Sequence, residues 1–431
     1  MQQKLENQII YQIYTRNFTE KGDFASIKSK FSHLKELNVD ILYLMPINTI
    51  GLEGRKGNLG SPYSISNYLE INPELGTLRS FKKFIKGAHE NGFKVMIDIV
   101  FNHTSRDSWI LKNHPEWMYK NSDGNFANKV GDWSDVYDLD LNNPDLRKYV
   151  INVLKHYIKI GVDGFRFDVI SLLPLSFIED LNKLKSKYPE IILLGEAVDM
   201  RFNTYVRRVG FNCVSDSELY ERGFDLTYQY TSFPYLKDYL QHRNHTDLCA
   251  YKTALFLENP ANPKYFLKIR GIENHDQPRI FEFTHDYLLM KNLYAFNVLM
   301  KGPIFMYNGV ETKSDHCLNL FEKDTMNRDI DHDWLNFIKT VNSIKKSEEN
   351  MQLINTEVQI DNYEAIIYIN YYSDGSKRYG IFSLTDKYIE VSIKEMNDGT
   401  YFNLLSNNYP VRIKNGSLVI REPLYLIDKI D

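Results

Sequence analysis

GVDGFRFDVISLLP, residues 161–174, reads as a strand with too much charge in it. Val162, Phe165, Phe167, Val169 and Ile170 supply the apolar run of a buried strand, yet Arg166 and Asp168 sit inside it. Residues two apart on a strand face the same side. Two buried charges cost several kcal/mol each unless they are paired. The pairing itself is readable, a cation beside an anion, and it implies a strand whose end opens on a polar cleft.

Seven further short apolar runs accompany it: 9–18, 40–47, 94–103, 191–197, 213–219, 265–276 and 302–309. Amphipathic stretches lie between several of them, such as FASIKSKFSHLKELN, LRSFKKFIKGAHENG and LRKYVINVLKHYIKIG. Strand and helix in alternation imply parallel pairing. Eight such units predict an α/β fold, a (β/α)8 TIM barrel. A doubly wound sheet is the alternative, but no glycine-rich phosphate turn follows the first strand. Between 104 and 144 the helical period is lost and Asn, Asp, Gly and Trp accumulate. A connection this long in a compact domain is usually functional, and it reads as a small subdomain inserted after strand three. From 348 onward, alternating segments separated by DG and NG turns predict a C-terminal antiparallel β-sandwich domain. The barrel then comprises 1–103 and 145–347, the insertion 104–144, and the β domain 348–431.

Four strands end in polar clusters: DIVFNH (Asp98–His103), FRFD (to Asp168), GE (to Glu196) and NHD (Asn274–Asp276). C-terminal strand ends of a barrel converge on one face, where active sites lie. Singly, Asp98 is an ordinary turn acid and His275 an ordinary core histidine; four clusters at four matching ends point to one shared site. NHD and DxxxNH contain metal-ligating types, but the His-x-His and His-x-x-x-His pairs of metal hydrolases do not occur in these clusters. Glycosidic bond cleavage by paired carboxylates is the other reading. It needs an ionised nucleophile and a protonated acid. A neighbouring arginine lowers a carboxyl pKa, which fits Arg166 beside Asp168. A carboxyl kept protonated by a nearby negative charge fits Glu196 after IILLG.

At these residues the sequence resembles the α-amylase family of retaining glycoside hydrolases, family 13. DIVFNH, GFRFD, GEA and NHD match its four motifs in order, DLN at Asp140–Asn142 is a weaker fifth, and YSISNYLEINPELGT and GPIFMYNGVE resemble its segments after strand two and at the last strand. The resemblance implies Asp168 as nucleophile, Glu196 as acid and base, and Asp276 as stabiliser of the distorted sugar. It implies that Tyr63 stacks under the reacting ring, that His103 and His275 donate to sugar hydroxyls, that Arg166 pairs with Asp168, and that Asp98 links Arg166 to its neighbours. Arg279, expected among the substrate-binding residues, belongs to NHDQPR, which with the DVI after the second motif resembles the oligo-1,6-glucosidase and α-glucosidase subgroup. In that subgroup a valine after the nucleophile accompanies α-1,6 cleavage.

In many α-amylases the second motif continues through two small residues to Lys-His, where the histidine helps hold a structural calcium. Here VISL follows Asp168, so no cofactor requirement and no usual calcium are expected. The expected partner is an α-glucan or malto-oligosaccharide, cleaved at α-1,4 or α-1,6 bonds. A transglycosylase or glycosyl phosphorylase using the same intermediate, and a non-catalytic carbohydrate-binding homologue, are the rivals. The net charge of −4, with no basic stripe, argues against nucleic acid. No apolar run approaches the roughly twenty residues of a membrane span. MQQKLENQIIYQIYTRNF has no apolar leader, and Cys213, Cys249 and Cys317 read as reduced buried thiols. Together these predict a cytoplasmic chain; nothing in the sequence sets an oligomeric state.

Overall fold

A computed structural model describes residues 5–131, 133–197, 199–242 and 248–428. Residues 1–4, at the start of the segment read as lacking a leader, lie outside the described residues. Eight strands form one parallel sheet: β1 Ile9–Ile13, β2 Ile41–Leu44, β3 Lys94–Ile99, β4 Gly164–Phe167, β5 Ile192–Gly195, β6 Leu226–Tyr228, β7 Lys268–Ile269 and β8 Ile304–Tyr307. Their order is β7-β6-β5-β4-β3-β2-β1-β8. A parallel bridge between Arg270 and Ile304 joins the two ends, so the sheet closes into the TIM barrel the alternation predicts. Every residue of β1, β2, β4 and β5 is buried. A sheet covered on both faces by its own core and by helices reads as a continuous apolar run, which explains the sequence of these strands.

One expectation fails. Residues 213–219 do not form the sixth strand: helix Asp216–Glu221 begins there, and β6 follows it at 226–228. The physical reason is a capping box. Ser215 Oγ accepts from the Glu218 N–H at 3.3 Å, and Glu218 Oε2 accepts from the Ser215 N–H at 2.8 Å. Satisfying both ends of a first turn favours helix over strand.

The 104–144 segment is anchored by strand His103–Ser105, paired antiparallel with Val136–Asp138. It carries the short helix Trp109–Asn113 and leads into the helix Pro144–Ile160. After the helix His332–Ser347, four antiparallel strands follow: β9 Leu353–Asp361, β10 Ala365–Tyr372, β11 Lys377–Ser383 and β12 Leu424–Asp428. Ile367, Ile369, Ile381 and Leu426 face two further strand pairs through Val391, Ile413 and Ile420, giving a separate sandwich core. Among the described residues no helix is long and apolar enough to cross a membrane. Cys213 is buried as expected, but Cys249 and Cys317 are exposed, so the reading of all three as buried thiols is corrected.

Candidate active site

Register places the charges. In the β3–β4 ladder Asp98 lies opposite Arg166, and in β4–β5 Phe167 lies opposite Gly195. The chain then leaves both strands at the same level: the Asp168 N–H donates to Ile99 O at 2.9 Å and the Glu196 N–H to Phe167 O at 3.1 Å. Arg166 is fully buried. Its Nη1 donates to Asp98 Oδ1 at 2.9 Å and to Asp168 Oδ1 at 2.8 Å, while Nη2 lies 2.8 Å from Glu196 Oε1. Three carboxylates around one guanidinium leave a net negative site, which is costly in a buried setting and marks a functional cluster.

Asp98, also fully buried, accepts from Tyr43 OH at 2.6 Å and Tyr63 OH at 3.0 Å. It therefore braces the arginine from beneath the cavity floor. The Tyr63 ring stacks on His275, with centroids 5.2 Å apart and planes at 10°. Tyr63 OH lies 2.6 Å from His275 Nε2, and the same nitrogen is 3.0 Å from Asp276 Oδ2. His103 is buried with its ring 5.3 Å from Trp133.

The carboxyls differ in proton affinity. Burial pushes Asp168 up to about 6, with Arg166 opposing the rise and Asp98 adding to it. Burial pushes Glu196 further, to about 8, with Asp168 and Asp276 contributing. The expectation that Arg166 lowers the Asp168 pKa is thus overridden by desolvation, although the arginine still acts in that direction. Burial works against the Asp276 anion too, but His275 outweighs it and brings that group down to about 2. Burial disfavours a charged His275, yet Asp276 holds its pKa above the ordinary value. The His103 pKa is lowered, chiefly by burial.

Val169, directly after Asp168, is forced into the left-handed region at φ 43° and ψ 41°. For a β-branched residue this is a strained conformation. It aims the Val169 N–H at Glu196 Oε2, 2.9 Å away, so backbone strain next to one carboxylate positions the other.

These side chains open on a cavity of about 370 Å³ that Asp168, Glu196, Asp276, His275, His103 and Tyr63 help to line. A larger cavity of about 960 Å³ lies between the inserted segment and residues 172–175 and 207–218, away from the carboxylate cluster. Size alone would choose the second; converging groups of shifted proton affinity choose the first. Arg279 does not reach either. It is fully buried, donating to Glu273 Oε1 at 2.8 Å, Asn308 O at 3.0 Å and His316 O at 3.0 Å. The expected substrate contact is corrected to a brace for the last barrel strand, because every part of its guanidinium is engaged inside the protein. Sequence reasoning missed Tyr43, Trp133, Phe202 and Lys56, of which the last three line the cavity. Their only sequence signal is nearness to a motif or to an insertion.

The calcium that the fold family implies is tested by the donors around Asn102. One buried acceptor, Asn102 Oδ1, has no hydrogen-bond partner. Calcium takes about six to eight oxygens. Here Asp138 receives the Asn102 amide and the Lys129 N–H, and the Lys129 ammonium donates to Leu139 O at 2.9 Å. Among the described residues no group of three or more His, Cys, Asp or Glu could hold a metal ion. Around Asn102 the described side chains thus offer one free amide oxygen, one carboxylate already taken by two N–H groups and a lysine ammonium, a set that does not fit calcium.

A closed parallel barrel with carboxylates clustered on an arginine at its C-terminal strand ends defines a TIM-barrel enzyme whose groups are suited to acid–base and nucleophilic chemistry. The family described as Alpha amylase, catalytic domain, matches residues 12–116 and 108–362, and Bacterial Alpha amylase C-terminal domain matches 357–425. The chain belongs to the α-amylase family, glycoside hydrolase family 13. The crystal structure of an alpha-amylase from Lactobacillus plantarum superposes with a TM-score of 0.92 at 36% identity, covering 99% of this chain and 100% of that one. Alpha-amylase 3 of Dictyoglomus thermophilum is 28% identical over 71% of this chain and 64% of its own length. An alpha-1,4-glucan:maltose-1-phosphate maltosyltransferase of Picrophilus torridus is 29% identical over 53% and 37%. The chain thus matches less than two thirds of the length of these curated relatives.

Proposed function

We propose that this chain is a retaining glycoside hydrolase that cleaves α-1,4 or α-1,6 glucosidic bonds in malto-oligosaccharides in the cytoplasm, without a metal. The observation that carries this reading is the sharing of Arg166 by Asp168 and Glu196, 2.8 Å to each, with the lower proton affinity on Asp168. Two carboxyls close enough to share one guanidinium favour the short separation of retaining enzymes, about 5–5.5 Å, over the wider gap that admits a water. Asp168, deprotonated first, attacks the anomeric carbon; the C–O bond breaks as Glu196 gives its proton to the leaving oxygen. A glycosyl–Asp168 ester results. Glu196, now a carboxylate, takes a proton from water as its oxygen attacks the same carbon, releasing Asp168 and an α-configured product. Asp276, held anionic by His275, supports positive charge on the ring during both steps, and the face of Tyr63 carries the ring.

A second reading is supported by one specific finding, the relative named a maltosyltransferase: a sugar or phosphate would then take the place of water on the same intermediate. Incubation with maltotriose, isomaltotriose, panose and sucrose, with and without phosphate, separates these. Shorter sugars of initially α configuration support hydrolysis. Longer oligosaccharides or glucose 1-phosphate as main products support transfer, and an initially β product overturns the retaining mechanism.

A further inference from the structure

The 960 Å³ cavity plays no part in the chemistry assigned to the carboxylates. It lies between the inserted segment and two stretches that follow barrel strands, 172–175 after β4 and 207–218 after β5. One packed cluster stands between it and the carboxylate cavity. Val130, Leu172, Val206 and Cys213 form the centre of this cluster, and Trp133, Val169, Phe202 and Phe211 pack against them. Trp133, Val169 and Phe202 line the carboxylate cavity, whereas Val130, Leu172, Phe211 and Cys213 line the larger one. Val206, at the centre, is fully buried. A molecule in the larger cavity meets one face of this cluster, while substrate at the carboxylates meets the other.

The lining sets the chemistry of that molecule. Lys120, Lys129 and Arg207 are balanced by Glu116, Asp140 and Glu218, so no net charge favours an anion or a cation. Several of these groups are engaged within the protein: Lys129 donates to Leu139 O at 2.9 Å, Arg207 Nη2 to Cys213 O at 3.2 Å, and Glu218 closes the cap at Ser215. Asn142 and Asn212 add amides that both donate and accept. Apolar surface alternates with these groups. Leu172 to Leu175 line the cavity in one run, and the rings of Tyr119 and Phe211 meet edge to face with centroids 6.0 Å apart. Balanced charge, amides and aromatic faces together suit a neutral polyhydroxylated ring, whose edges hydrogen-bond and whose faces are apolar. A volume of 960 Å³ is at the upper end for ligand pockets, roughly 300–1,000 Å³, and leaves room for more than one such ring. The DLN segment, Asp140–Asn142, which the carboxylate site does not use, lines this cavity with all three residues.

Resting on the α-glucan reading above, we propose that the 960 Å³ cavity is a second carbohydrate site. It holds a neutral malto-oligosaccharide segment against Tyr119 and Phe211 while a separate segment is cut at Asp168 and Glu196.

The test uses Glu196→Gln, so that labelled maltotriose binds without rapid turnover. Equilibrium dialysis is expected to find two equivalents bound per chain. Hydrogen–deuterium exchange is expected to show protection in peptides covering 116–130 and 207–218 as well as in those covering 164–170 and 272–279. Adding Tyr119→Ala removes an aromatic face; it is expected to weaken one of the two sites about tenfold and to remove the protection at 116–130 and 207–218 alone. Tyr119→Leu keeps most of the packing and is expected to do the same, with circular dichroism melting showing that each variant is folded. With Glu196 restored, Tyr119→Leu is expected to leave kcat/KM on maltotriose unchanged. One equivalent, with protection confined to the catalytic peptides, overturns the second site. Two sites untouched by both Tyr119 variants overturn its placement in this cavity. A tenfold fall of kcat/KM in folded Tyr119→Leu overturns its separation from the catalytic cleft. No bound maltotriose at all overturns the α-glucan reading on which the proposal rests.

Discussion

The ordering of the two proton affinities makes the pH–rate profile a direct readout of the site. The proposed mechanism needs Asp168 deprotonated and Glu196 protonated, and burial puts the pair at about 6 and about 8. The profile of kcat/KM on maltotriose is therefore a bell centred near pH 7. Each limb falls about tenfold per pH unit once past its pKa, so activity at pH 5 and at pH 9 is roughly a tenth of the maximum. Because the carboxyls share Arg166, the limbs belong to the pair as a unit. Glu196→Gln isolates the basic limb. It removes the titrating group, so the decline above pH 8 disappears. It also removes the general acid, costing about 10²–10⁴-fold on maltotriose. α-Glucosyl fluoride, whose fluoride leaves without a proton, loses far less in its glycosylation step. An acid limb near the ordinary aspartate value, a basic limb that persists in Glu196→Gln, or equal losses on both substrates would refute the reasoning.

Three further outcomes follow from the same geometry. The raised pKa values mean that the folded chain binds more protons than the unfolded one over the intervals from the ordinary carboxyl values up to about 6 and about 8. Stability then falls as pH rises through these intervals, and Asp168→Asn or Glu196→Gln is expected to stabilise the fold by about 1–3 kcal/mol at pH 8; urea unfolding that shows no gain contradicts this. Asp98→Asn strips a charge from beneath Arg166 and is expected to cost about 3–5 kcal/mol, as breaking a buried ion pair does; a loss below about 1 kcal/mol would return Asp98 to a minor role. Dialysis against a chelator is expected to leave melting temperature and activity unchanged, while Lys129→Met lowers the melting temperature by disconnecting Leu139 O; a chelator-induced fall that calcium reverses would contradict the lysine assignment.

What the sequence disclosed, and what it hid, has a common physical origin. Barrel strands are buried on both faces, so a charged residue inside or just after one stands out: Asp98, Arg166, Asp168 and Glu196 are legible for that reason. Their convergence follows from parallel strands of matched register. The sixth strand was illegible because it is only three residues long, while the capping residues Ser215 and Glu218 lie inside a run read as strand. Arg279 carried a motif signal, but whether a guanidinium faces a cavity or a buried glutamate depends on Glu273 and Asn308, which sequence does not place around it. The direction of the Asp168 shift was hidden likewise, since burial is a property of the packed molecule. The hydrogen bond from Asn58 to Glu322 spans 264 residues, and no local pattern announces such a contact.

The central claim is that Asp168 forms a covalent bond to the sugar. Its most direct test is a mass spectrum of a peptic digest after incubation with 5-fluoro-α-glucosyl fluoride, which forms the ester readily and releases it slowly. A fluorohexosyl adduct on the peptide containing Asp168, absent in Asp168→Asn, is the predicted result. An adduct on Glu196 or Asp276, or turnover of α-glucans with no adduct and an initially β product, would contradict it.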